Sequence, residues 1–370
     1  MLHLLFDSAD LRTRKNSVIG ELVWSYAKEN RTFNAGYRGA FGFLRSDLSG
    51  SGVTNVRTGR QRLYGEYSSR HGSFSYRVSL GAENNMKAGD DGFSRFAFSP
   101  TVLLSYRLNK RNMLRLRLDS ETSMPDIQQM SGNRILIMEN FYRRGNAEVH
   151  NSTGYQSRLI YSYNIPRKLI VQTDAHYNRT AGFLYDAFVQ DGDAWYLETR
   201  NAHRFSEAGM NMIVTYIPWK WLRLGVDVSA DRQTIKETSS GEAFSDWFFP
   251  VYLNASAVWG NWSLSCRQTF GGKMLDGLYR KGLEKVSYLS LTYGWKNWQF
   301  GAQCLFPFYD DKYSNETVSF APVRHVTQTN LRTKNREFGF TISWFFQRGK
   351  ENHSAKSLEN SDVDSGVFRF

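Results

Sequence analysis

The chain has 370 residues, a formal net charge of +12 and a mean hydropathy of −0.51. No stretch approaches the roughly 18 to 20 continuous apolar residues of a transmembrane helix, which excludes helical spans but not strands, where only alternate residues meet lipid. The basic balance would suit nucleic acid, but the Lys and Arg residues alternate with apolar ones within segments and do not cluster, so no nucleic-acid partner is expected. Aromatic residues make up 15% of the chain, high enough to favour a membrane barrel over an ordinary soluble domain. The seven prolines suit long antiparallel strands, where proline removes a ladder hydrogen bond.

In chain order, residues Met1 to Asp7 lack the basic leader, apolar core and small-residue cleavage site of a secretory signal. The expectation is therefore that the chain is the back part of a longer protein, or that the true start lies upstream. A short opening strand is predicted at 2–7. Further strands are predicted at 17–28, 32–44, 58–69, 73–80, 93–107, 112–121, 153–164, 168–178, 207–217, 221–231, 247–259, 262–271, 283–295, 298–307 and 337–347, about 14 to 16 in all. In 337–347, Phe338, Phe340, Ile342, Trp344 and Phe346 alternate with Gly339, Thr341, Ser343, Phe345 and Gln347. Segment 221–231 sets Leu222, Leu224, Val226, Val228 and Ala230 against Arg223, Asp227, Ser229 and Asp231. Segments 112–121 and 73–80 follow the same rule, and none shows the three- and four-residue spacing of a helix. Strands of ten or more residues also argue against a soluble sandwich, whose strands average about five or six, and no propeller-length repeat is present.

Tight connections fall near 29–31, 70–72, 109–110, 165–167, 218–220, 260–261 and 296–297. Longer ones lie at 45–57, 84–92, 122–152, 179–206, 232–246, 272–282 and 308–334. Tryptophan brackets three of the short turns: Trp219 and Trp221, Trp259 and Trp262, Trp295 and Trp298. An indole is apolar with one N–H to satisfy, so it favours the boundary between hydrocarbon and water. The fold class is therefore an all-β transmembrane antiparallel β-barrel, with short periplasmic turns and long extracellular loops. Residues 1–347 form the barrel, and 348–370 a polar periplasmic tail, with 348–366 reading as disordered. The location is the bacterial outer membrane, with its lipid as a partner. Either Phe345-Phe346 or the terminal Phe370 would supply the closing aromatic signal.

Eight arginines take inward positions: Arg38, Arg62, Arg77, Arg115, Arg117, Arg158, Arg223 and Arg267. One reading is a basic lumen that attracts anionic solutes. The other is that they hold acidic groups, for which Asp119, Asp227, Glu66 and Asp231 are available. Loop 308–334 contributes Asp310, Asp311, Tyr313 and Glu316; loop 179–206 contributes Asp191-Gly192-Asp193 and Trp195. That triplet matches a fragment of a calcium loop without the remaining spacing or the terminal Glu. Cys266 and Cys304 lie on strands separated by a third, about 10 Å apart, so no disulfide is expected and both thiols face lipid. No serine stands in a Gly-x-Ser-x-Gly elbow and no His-Glu-x-x-His occurs. His150, His176, His203 and His325 are scattered, so no enzyme, metal or cofactor is expected.

Residues 103–163 carry a resemblance. The run Leu104-Ser105-Tyr106-Arg107-Leu108-Asn109-Lys110-Arg111-Asn112 is a strand, a turn and the start of the next strand. Leu114-Arg115-Leu116-Arg117, then Pro125-Asp126-Ile127-Gln128-Gln129-Met130, then Gly145-Asn146 follow. Together they resemble the mid-barrel signature of TonB-dependent outer-membrane receptors, particularly the outer-membrane β-barrel family related to them. Met130, Ala147 and Val149 depart from that pattern, and Asn151-Ser152 stands near the place of its Pro-Glu. The resemblance implies a plug domain, the partner TonB, a barrel of about 22 strands and energised import of a solute such as a ferric chelate or oligosaccharide. On that reading this chain is the C-terminal part of a larger receptor barrel, with no plug-like segment before its strands. The alternative is a plugless outer-membrane pore or a structural or adhesive surface barrel.

Overall fold

The computed structural model describes residues 11–48, 52–88, 93–130, 134–277, 279–282, 286–308, 313–319, 326–331 and 336–346. The opening strand at 2–7, Asp310, Asp311, His325 and the tail 348–370 lie outside the described residues. The strands are β1 Leu11–Lys28, β2 Arg31–Leu48, β3 Gly52–His71, β4 Phe74–Ala88, β5 Phe93–Arg107 and β6 Asn112–Ser123. After a one-turn helix α1, Ile127–Met130, come β7 Ile135–Met138, β8 Phe141–Arg144, β9 Ser152–Ile165, β10 Leu169–Asp191, β11 Ala194–Trp219 and β12 Leu222–Lys236. The remainder are β13 Ala243–Phe248, β14 Val251–Trp259, β15 Trp262–Phe270, β16 Lys273–Asp276, β17 Tyr279–Gly282, β18 Ser287–Trp295, β19 Trp298–Leu305, β20 Tyr313–Ser319, β21 Val326–Leu331 and β22 Glu337–Trp344.

One 18-stranded sheet forms the wall. Within it β1 to β6, β9 to β12, β14, β15, β18, β19 and β22 run as an antiparallel meander. The wall strands coincide with the segments predicted from alternation, and β5 matches the predicted 93–107. Segment 247–259 is corrected: it breaks into β13 and β14 around Phe249-Pro250, because proline cannot donate to the ladder. The short turns use residues with positive φ, Glu29, Gly72, Arg167, Gly260 and Lys296, which lets the chain reverse within two or three residues.

The expected long loops are the larger correction. Most of 179–206 is strand: β10 and β11 continue past the membrane as one hairpin turning at Gly192 (φ 63°). Residues 45–48, 52–57, 84–88 and 232–236 likewise belong to strands that run on from the wall. Segment 272–282 holds β16 and β17, which join β20 and β21 in a second, 4-stranded sheet. Above the membrane both faces of a strand meet water or polar neighbours, so alternation disappears while the hydrogen-bond ladder persists.

The outward face is apolar and exposed. Phe338, Phe340, Ile342 and Trp344 are 71%, 83%, 68% and 57% exposed, in keeping with side chains that meet lipid. All six turn tryptophans are exposed at the short-turn end. Trp219 and Trp221 stack at 5.4 Å and 4°, and Trp298 lies opposite Trp344. A second aromatic belt sits higher: Phe33 and Phe41, Tyr106 and Phe98, and Trp262 and Phe270 are each eight residues apart, and all are exposed. At a strand rise of roughly 3.3 Å and a tilt of about 40°, that spacing spans about 20 Å, close to the thickness of a barrel's lipid band. Cys266 and Cys304 both oppose Leu289 from either side, so one strand separates them as expected, and both are free.

This orientation is testable on intact cells with a charged, membrane-impermeant maleimide. Asp193→Cys, at the tip of the β10–β11 hairpin, labels directly. Lys220→Cys, in a short turn, labels only after the outer membrane is opened, and the lipid-facing native cysteines stay silent. The reverse pattern would invert the topology.

Candidate functional site: a charged wall beneath an extracellular crown

The inward face is the one opposite the exposed apolar positions, and antiparallel register determines which polar groups meet on it. Across β1 to β4 the row reads Glu21, Arg38, Arg62, Glu83. Two arginines side by side repel unless carboxylates flank them, and both ends of this row supply one. Glu83, buried, accepts two hydrogen bonds from Arg60 at 2.8 and 3.0 Å and a third from Asn85 at 2.8 Å. Arg62 lies over the Tyr64 ring at 5.7 Å. Arg77 stands 3.8 Å from Glu66, which also accepts from Asn34 at 3.1 Å.

Further round the wall, Arg117 opposes Arg158, which opposes His176. Two guanidiniums abreast of an imidazole favour acids along their strands. Arg117 turns to Asp119 at 2.7 Å and Arg158 to Asp174 at 3.5 Å. Arg115 opposes Ser105, Arg223 opposes Ser256, and Arg267 sits 5.0 Å from the Tyr252 ring. All eight arginines singled out in the sequence occupy inward register positions. Of the acids expected to meet them, Asp119 and Glu66 do so, whereas Asp231 pairs with His176.

His176 is the residue that the sequence reading dismissed. Its side chain is 7% exposed, with Nδ1 3.2 Å from Asp174 and Nε2 3.1 Å from Asp231 and 3.6 Å from Glu207. Nδ1 shares a hydrogen bond with Asp174 Oδ1, and Nε2 faces the carboxylates of Asp231 and Glu207. Glu207 also accepts from Asn178 at 3.0 Å and Gln233 at 2.7 Å. Gly209 opposes both His176 and Asp231 and leaves the room for this cluster. A Cβ there would lie 1.9 Å from Asp231 Oδ1 and 2.7 Å from the Ala230 carbonyl.

At Gly182 (φ 65°) the inward parity of β10 changes from even to odd residues. Above it Phe183 stacks on Phe205 at 4.8 Å, and Tyr185, Ala187, Ala202 and Ile235 form a small buried core with Phe244 packed against it. The β16–β17 hairpin closes on this core. The Leu275 N–H donates to Gln233 Oε1 at 2.8 Å, and a Cβ on Gly277 would meet Tyr185 at 2.8 Å. Gln233 thus links the His176 cluster in the wall to a hairpin at the mouth.

Residues 122–152, expected as a plain loop, clasp the β10–β11 hairpin. β8 pairs in parallel with β11, and Arg144 reaches Glu198 at 2.7 Å and Asp191 at 3.3 Å while covering the Tyr196 ring at 4.0 Å. Arg143 holds Asp186 at 2.9 Å. Asp191 is therefore half of an ion pair beside a hairpin turn, and no cluster of metal-binding side chains occurs among the described residues. Trp195 pairs with Phe141 at the start of β11, and the side chains of Tyr313 and Glu316 in β20 are outside the description.

Two outcomes follow from this geometry. Gly209→Ala forces the Asp231 carboxylate away from His176 and costs about 1 to 3 kcal/mol, by the usual overpacking penalty. Gly65→Ala, with nothing within 4 Å of the new Cβ, is the neutral comparison in a urea unfolding series. In the crown, Tyr185 donates to Glu237 at 2.5 Å, and burial together with that hydrogen bond pushes its phenol well above the ordinary value. Deprotonation is then easier in the opened state, so Tyr185 stabilises the crown fully below about pH 10 and less as pH rises beyond it. Protease protection of the crown should fall above that pH in the parent and less steeply in Tyr185→Phe.

No curated protein matches the sequence. Among solved structures, the FrpB iron transporter from Neisseria meningitidis (F3-3 variant) has a TM-score of 0.64 at 10% identity, covering 89% of this chain and 55% of its own. The copper transporter OprC gives 0.67 at 12% identity, over 91% of this chain and 59% of its own. A mutant ferric enterobactin receptor, PfeA, from Pseudomonas aeruginosa, in complex with enterobactin, gives 0.58 at 15% identity, over 82% and 50%. The chain thus spans between half and three-fifths of the length of these structures. At these identities the likeness is one of fold. The model of the outer membrane protein beta-barrel family matches residues 25–344, and the chain belongs to that family, an integral protein of the outer membrane.

Proposed function

We propose that this chain is the barrel portion of a TonB-dependent-receptor-like protein that captures a scarce solute at the cell surface and imports it. The observation that carries the reading is the crown: strands β10 to β12 rise past the membrane, and the β16–β17 hairpin packs on their inward face above a charged wall. A passive pore needs no roofed mouth, whereas a receptor needs a surface on which to hold its ligand before passage. The names of the structural neighbours, iron and copper transporters and a ferric enterobactin receptor, support this class over an enzyme or an adhesin.

The solute class follows from the lumen. Arg38, Arg62, Arg115, Arg117 and Arg223 give the β2–β6 and β12 portions of the inward face a positive character, which favours an anionic ligand such as a ferric chelate. By resemblance to the receptor family, residues 1–347 are the C-terminal part of a larger barrel, a plug fills the lumen, and TonB supplies the energy. Residues 348–370 follow as a polar tail on the periplasmic side.

Uptake of a radiolabelled anionic ferric chelate by cells carrying the native full-length protein tests this. Binding to cells should survive an uncoupler that collapses the inner-membrane proton gradient, while uptake should stop. Arg115→Gln with Arg117→Gln should lower uptake several-fold. Uptake indifferent to the uncoupler would make the protein a passive pore and sink the receptor reading.

A further inference from the structure

On the outward face of the wall strands the described charged side chains are basic, among them Lys28 and Arg31 near the short turns and Arg14, Arg45 and Arg57 at the far end. Below the crown, every Asp and Glu of a wall strand whose side chain is described takes an inward position, Glu21, Glu66, Glu83, Asp119, Asp174, Glu207, Asp227 and Asp231 among them. Arginines do not obey that sorting. Arg14, Arg45 and Arg57 point outward on β1, β2 and β3 and are exposed. Arg14 stands directly opposite Arg45, and Arg57 opposes Phe43 one step away. Like charges facing each other across a ladder are unfavourable. Yet none of the three has an ion-pair or side-chain hydrogen-bond partner among the described residues.

Their height matters. They lie just above Phe41 and Phe43 in the upper aromatic belt, at the far end from the short turns, where the headgroups of the outer leaflet begin. Directly beneath them the wall has a hollow. Gly59 sits between Phe41 and Met86, where a Cβ would approach Met86 Cγ at 2.7 Å. The hollow has a volume of about 460 Å³ and is lined by Val18, Phe41, Phe43, Gly59, Met86 and the stem of Arg57. It is almost wholly apolar and opens toward the hydrocarbon.

We propose that this hollow and its three guanidiniums form a binding site for a phosphate-bearing lipid of the outer leaflet. An acyl chain fills the groove over Gly59. The phosphate oxygens accept hydrogen bonds from Arg14, Arg45 and Arg57, a geometry to which the guanidinium fork is suited. The lipid supplies negative charge and removes the repulsion between Arg14 and Arg45. A zwitterionic or neutral lipid does not, and a free phosphate ion lacks the chain that the groove holds. This site is independent of the import reading, since it lies on the outer surface and not in the lumen.

The test uses the full chain purified in a neutral sugar detergent and mixed micelles containing dioleoyl phosphatidic acid, with retained lipid counted by native mass spectrometry. Each guanidinium near a membrane surface is worth roughly fivefold in affinity, so Arg14→Gln, Arg45→Gln and Arg57→Gln together should weaken retention on the order of 100-fold. Gly59→Leu, which fills the groove and keeps the charge, should also reduce it. Arg107→Gln, the loss of a guanidinium near the short-turn end, should leave it unchanged. Equal retention of dioleoylglycerol would overturn the proposal. So would undiminished retention by both the triple variant and Gly59→Leu, or inorganic phosphate bound as tightly as the lipid. Heat-shifted mobility on gels confirms that each variant is folded before it is read.

Discussion

In hydrocarbon a peptide group has no water to bond with, so every N–H and C=O of a spanning segment must find another backbone. The antiparallel ladder meets that demand, and most other features of this protein descend from it. The ladder fixes a two-residue period, which separates a lipid face from a lumen face. It also fixes which residues of neighbouring strands stand abreast, as in the unbroken β1–β2 register from Leu11 and Leu48 down to Lys28 and Arg31. Charged side chains then have little choice of neighbour. The row Glu21, Arg38, Arg62, Glu83 is a product of register as much as of composition.

The same constraint explains what the sequence could and could not disclose. Each wall strand was legible because lipid on one side and water on the other impose alternation, as in Phe338, Phe340, Ile342 and Trp344. The periplasmic tryptophans were legible because an indole at a short turn has few other uses. The crown was not, because above the membrane the two faces of β10 and β11 no longer differ in polarity. Residues 179–206 therefore looked like loop while the ladder continued through them. The break at Pro250 is marked in the sequence by the proline alone, inside a run that otherwise alternates as one strand.

The His176 cluster shows a different limit. Asp174, His176, Glu207, Asp231 and Gln233 come from three strands, and no local pattern joins them. Only the registers of β10 with β11 and of β11 with β12 bring them together. Gly209 was the one local hint, a residue without a side chain in the middle of a strand, where close approach by a neighbour is a standard reason for glycine. Its meaning appears only once Asp231 is placed opposite. Electrostatic sorting acts at the same scale. Among the described wall residues carboxylates are kept off the lipid-facing surface, and the histidine and arginines they meet inside tie one strand to the next.

Gly182 carries a consequence for how this protein tolerates change over time. Below it, even-numbered positions of β10 such as Asp174 and His176 face the lumen and odd-numbered ones lipid; above it the sides exchange, and Phe183, Tyr185 and Ala187 take the enclosed side. A replacement that is harmless at one position becomes harmful a few residues further along the same strand. A single-residue insertion or deletion between Asp174 and Gly182 would shift one stretch out of step with the other, so the two must drift as separate blocks. The crown can then diversify while the span below stays bound by the chemistry of the bilayer.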